Sequence, residues 1–95
     1  MKTIDFNRKF KDFRGNDVGD GTMAVEISKA LFEAGVPELP INKEEKFLAY
    51  KLSTQLIANH GVIEVSEADA AFLSNYCMMA FSAGGFGQIA AVLND

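Results

Sequence analysis

The chain has no tryptophan, one cysteine, one histidine and two prolines in 95 residues. A single cysteine, Cys77, excludes an internal disulfide and any cysteine-based metal framework. It sits in the apolar run NYCMMAF, where a free cysteine behaves as a small buried hydrophobe. Metal or triad chemistry at His60 would need a second histidine or a nearby cysteine. The sequence gives no reason to unite it with Cys77 or Glu64. The apolar runs fall well short of the roughly 20 residues of a membrane span, and the opening MKTIDFNRKF has no apolar signal segment. We therefore expect a cytosolic chain with no membrane contact.

What is present is a globular balance, 48% hydrophobic and 23% charged, in a chain short enough for one domain spanning residues 1–95. The net charge of −4 is unevenly placed. Lys2, Arg8, Lys9, Lys11 and Arg14 against Asp5 and Asp12 give the first 14 residues +3, leaving −7 for the remainder.

The opening segment alternates, with Ile4, Phe6 and Phe10 on one face, and reads as a strand with one side buried. RGND is turn chemistry, so a hairpin is expected over residues 3–19. From Thr22 the period becomes helical: Met23, Ile27, Ala30, Leu31 and Ala34 form one stripe, with Thr22 as N-cap and Gly35 as the terminating glycine. GVPELPI should be a rigid extended link. Asn42 and Glu45 have capping-box spacing and open a helix over 43–60. This helix carries two apolar arcs: Leu48, Ala49, Leu52 and Leu56 on one, Phe47, Tyr50 and Ile57 on the other. VIEV reads as a short third strand pairing with the hairpin. Ser66 and Asp69 cap a helix over 67–81 that is apolar nearly all round. SAGGFG reads as a break before a terminal helix over 87–93. The expected fold is α+β, an N-terminal β-hairpin plus a short third strand packed on three to four helices.

The loop GNDVGDGTMAVE resembles a calcium loop only superficially. Aligning Asp20 and Gly21 with its fifth and sixth positions places Val18 and Ile27 where oxygen ligands are required. Neither glycine-rich stretch ends in the GK[ST] of a phosphate loop. Glu44, Glu45, Glu67 and Asp69 lie in first helical turns, where the helix dipole accounts for them. No catalytic, cofactor or metal set emerges, and we expect neither an enzyme nor a cofactor.

Two functional expectations follow. The second apolar arc, Phe47, Tyr50 and Ile57, together with Met78, Met79 and Phe86, points to a protein–protein interface, either self-association or docking in an assembly. The alternative is a small nucleic-acid-binding regulator using Lys9, Lys11 and Arg14 on the hairpin. The acidic remainder of the chain would repel phosphates, and strand lysines also guard a sheet edge. The stretches MKTIDFNRKFKDFRGNDV and KLSTQLIANHGVIEVSEADAAFL, with the helix that starts at Thr22 between them, resemble small uncharacterised proteins of bacteriophages and prophages. That resemblance implies a phage or mobile-element setting and no defined activity.

Overall fold

A computed structural model describes residues 1–94. The order is β1 (Lys2–Asp5), β2 (Lys9–Lys11), β3 (Asp17–Thr22), α1 (Met23–Phe32), α2 (Lys43–Ala58), β4 (Val62–Val65), α3 (Glu67–Ala80) and α4 (Ala83–Leu93). The fold is α+β, but the N-terminal run is two strands rather than one. β1 pairs antiparallel with β4, placing Ile4 opposite Ile63, while β2 and β3 form a separate hairpin.

Asp5 divides the run. Its carboxylate accepts from the Asn7 amide at 2.8 Å, a local turn that competes with a continuing strand. Phe6 then donates its amide to the Gly61 carbonyl at 2.8 Å and accepts from the Ala24 amide at 3.0 Å. Arg8 O accepts from the Met23 amide at 2.7 Å. The backbone between the two sheets is thereby spent on α1 and on the end of α2, and Phe6 becomes fully buried.

The helix starts follow from their caps. The Thr22 side chain accepts from the Val25 amide, and Asn42–Glu45 and Ser66–Asp69 both form reciprocal capping boxes. Two expectations are corrected here. The GVPELPI link is not fully extended, since the Leu39 amide closes a turn on Val36 O at 3.0 Å. The terminal helix begins at Ala83, not residue 87: Ser82 caps it by accepting from Gly85, so the glycines occupy its first turns and the break is Phe81 and Ser82, both extended.

The helices form two pairs, α1 with α2 and α3 with α4, and β1 and β4 contribute Ile4, Ile63 and Val65 to the core. Ile27, Leu31, Leu52, Leu56, Leu73 and Ile89 are its largest fully buried aliphatic side chains. Full burial of each stabilises the fold by about 1.5–3 kcal/mol. Lys2 Nζ donates to the Leu93 carbonyl at 3.1 Å, tying β1 to the end of α4.

Candidate functional site: the outer face of α1 and α2

Two serines set the spacing of the first helix pair. Ser28 and Ser53 are both buried, and the Ser28 hydroxyl donates to the Ser53 carbonyl at 2.8 Å. Side chains this small let two helices approach closely and leave a channel along their seam. The helices run antiparallel. Phe32 meets Tyr50 with ring centroids 6.2 Å apart, and Val25 and Ile57 line the same groove.

The groove encloses about 520 Å³. Ser28, Ser53 and Ala58 contribute its small side chains, and Val25, Phe32 and Ile57 its large apolar ones. Phe32 and Phe47 are each 67% exposed, Tyr50 58% and Ile57 55%. A contiguous cluster of large apolar groups at such exposure differs from the singly scattered apolar residues of an ordinary surface. Thr54 is exposed within the groove.

The sequence-predicted interface set divides. Phe47, Tyr50 and Ile57 lie together on the outer side of α2. Met78 and Met79 are exposed on α3, which packs on α4 and β4. Phe86 is half-buried against the core and so is not a free surface residue. The helix expected to be apolar nearly all round, α3, is buried on one face only: Phe72, Leu73, Tyr76 and Cys77 point inward, and the methionines face outward. Val25 and Phe32 line the same groove and were not among the residues singled out from the sequence. Their signal was available, since they stand i, i+7 apart and off the Met23, Ile27 and Leu31 stripe.

The hairpin is arranged differently. Lys11 is ion-paired with Asp17, whose carboxyl is held below its ordinary value chiefly by that hydrogen bond. Arg14 lies 5.2 Å from the centre of the Phe13 ring. Asp12 organises the turn by accepting from the amides of Arg14 at 2.8 Å and Asn16 at 3.0 Å. Lys9, Lys11 and Arg14 are matched by Asp12, Asp17 and Asp20 along the same segment.

The helix expected over 43–60 stops short of His60. α2 ends at Ala58, and His60 takes a left-handed φ of +54°, alone in this among the described non-glycine residues. Cys77 is buried, and desolvation pushes its thiol up to about 12. Among the described residues no group of three or more His, Cys, Asp or Glu could hold a metal ion, and no helix is long and apolar enough to cross a membrane.

Set against protein-family models, curated proteins and solved structures, the chain finds no match. These comparisons bear neither way on the resemblance to phage proteins.

Proposed function

We propose that the chain is a non-enzymatic protein-interaction module whose working surface is the outer face of α1 and α2. The observation that carries this reading is the groove itself, in which Phe32 and Ile57 stay in water, with Tyr50 exposed against Phe32 at its margin. Covering such groups removes apolar area from water at about 25 cal/mol per Å², which gives a partner reason to bind.

The hairpin supports nucleic-acid binding less well. Its three cations are balanced by three carboxylates, and Lys11 is already engaged with Asp17. A phosphate backbone would gain little net attraction there.

A photoactivatable amino acid in place of Thr54 tests the docking reading in cells expressing the chain, with the same group in place of Glu67 at the start of α3 as control. Discrete protein adducts from position 54, lost with Ile57→Glu, are expected. No adducts from position 54, or the same adducts from position 67, would contradict the reading.

A further inference from the structure

The groove has a length, a backbone chemistry and a charge, and together these specify its occupant. Val25 and Phe32 bound it along α1 and stand seven residues apart, a rise of about 10 Å. That matches a helix presenting three apolar anchors at i, i+3 or i+4, and i+7. The walls are α-helices whose backbone groups are already paired internally. A strand laid between them would find no ladder partner and would bury unpaired amides, whereas a helix satisfies its own.

Charge then separates the possible helices. The chain has nine basic residues, and all four that follow Arg14 are Lys29, Lys43, Lys46 and Lys51. Lys29 lines the groove. Lys43 and Lys46 are exposed on the same half of α2 as Phe47, Tyr50 and Ile57, whereas Lys51 lines a separate cleft with Glu64 and Asp69. The acid on this face is Glu33, which lines the groove; Glu44 lies beyond Lys51 on the other side of α2. Glu26 turns instead toward the hairpin, where its carboxylate lies 3.1 Å from the Cβ position of Gly21. Three lysines, Lys29, Lys43 and Lys46, against Glu33 leave this face at +2, and the rest of a chain of net −4 at −6. A second copy would set the same cationic face against itself, and like charges oppose association.

We propose that the α1–α2 groove binds an amphipathic helix of another protein whose apolar stripe is flanked by carboxylates. The proposal rests on the docking reading above and adds the chemistry of the partner. Its test uses two synthetic peptides of about 18 residues, long enough to populate a helix. Both carry the same leucine stripe, one flanked by glutamates and the other by lysines. Binding to the full chain is followed by fluorescence anisotropy at several salt concentrations.

The glutamate peptide is expected to bind roughly tenfold or more tighter than the lysine peptide, with the difference shrinking as salt rises. Ile57→Glu should weaken both peptides. Lys43→Glu combined with Lys46→Glu should reverse the preference. Equal binding of the two peptides, or a preference for lysine, overturns the acidic partner while the docking reading stands. Failure of both peptides while position 54 still captures a protein overturns the helical partner alone. Failure of both together with no capture overturns both readings. A salt-resistant dimer by light scattering that the glutamate peptide cannot dissociate would assign the groove to a second copy instead.

Discussion

The Ser28 hydroxyl donates to the Ser53 carbonyl across the buried seam of α1 and α2, at 2.8 Å. This contact holds two helices at a separation that makes a groove rather than a filled interface. Ser28→Ala should cost about 1 kcal/mol, the ordinary net worth of one such bond. Ser28→Leu should cost about 1–3 kcal/mol by overpacking and should also obstruct the groove. Denaturant unfolding of the two variants gives the comparison, and an unchanged midpoint for Ser28→Leu would show that the seam is not close-packed.

Gln88 of α4 acts as a strand edge toward the hairpin. Its side-chain oxygen accepts from the Lys11 amide at 2.7 Å and its nitrogen donates to the Lys11 carbonyl at 2.9 Å. Phe10 of β2 and Phe81 lie beside it with ring centroids 6.0 Å apart. Gln88→Ala should release the hairpin locally, at about 1–2 kcal/mol for two partly exposed hydrogen bonds. The Lys11 amide should then exchange faster, while the amides of β1 and β4 keep their protection.

The end of α2 stores strain at a replaceable position. His60 and Gly61 donate their amides to Ile57 O and Leu56 O at 3.3 and 2.7 Å, the paired bonds of a Schellman motif. His60→Gly should stabilise the fold by about 1 kcal/mol, because glycine adopts the left-handed region without steric cost. Gly61→Ala should do the opposite. Its φ is +88°, and an added Cβ would lie 2.9 Å from the Asn7 backbone nitrogen, so a loss above about 1 kcal/mol is expected. Thermal or denaturant unfolding of both variants checks the opposite signs.

Alkaline pH should weaken the fold through Cys77 and Tyr76. Desolvation raises the Cys77 thiol from 9.0 to about 12 and also raises the Tyr76 phenol above 10.0. The folded state therefore holds these protons when the unfolded chain has released them. Their contribution is complete below pH 9 and is lost as pH climbs toward 12. Stability measured across that window should fall, with a shallower slope in Cys77→Ala. At neutral pH, native Cys77 should react with alkylating reagents only as fast as the core opens.

The helix starts were legible because Thr22, Asn42 and Ser66 cap amides a few residues away, and nothing distant overrides so local an interaction. The division between β1 and β2 was not. Alternation continues from Ile4 through Phe6 to Phe10, and the break comes from backbone partners of Phe6 at Gly61 and Ala24, remote in sequence. The early start of α4 was hidden by a conflict of signals. Gly84, Gly85 and Gly87 disfavour a helix interior by about 1 kcal/mol each relative to alanine, yet the Ser82 cap and the packing of Ile89, Val92 and Leu93 outweigh them. Half of the candidate site could be read directly, because Phe47, Tyr50 and Ile57 form an arc separate from the core stripe of α2. The other half needed the antiparallel pairing that brings Val25 and Phe32 of α1 alongside.

The account turns on apolar side chains of α1 and α2 being held in water for a partner. The most direct measurement is the yield of protein adducts from a photoactivatable group at position 54, with and without Ile57→Glu, after denaturant unfolding has shown that both chains fold. The account predicts that Ile57→Glu changes stability by no more than about 0.5 kcal/mol, as at an ordinary surface position, and abolishes the adducts. Adducts that persist in the folded variant would contradict it, as would loss of several kcal/mol on substitution, which would return Ile57 to the core.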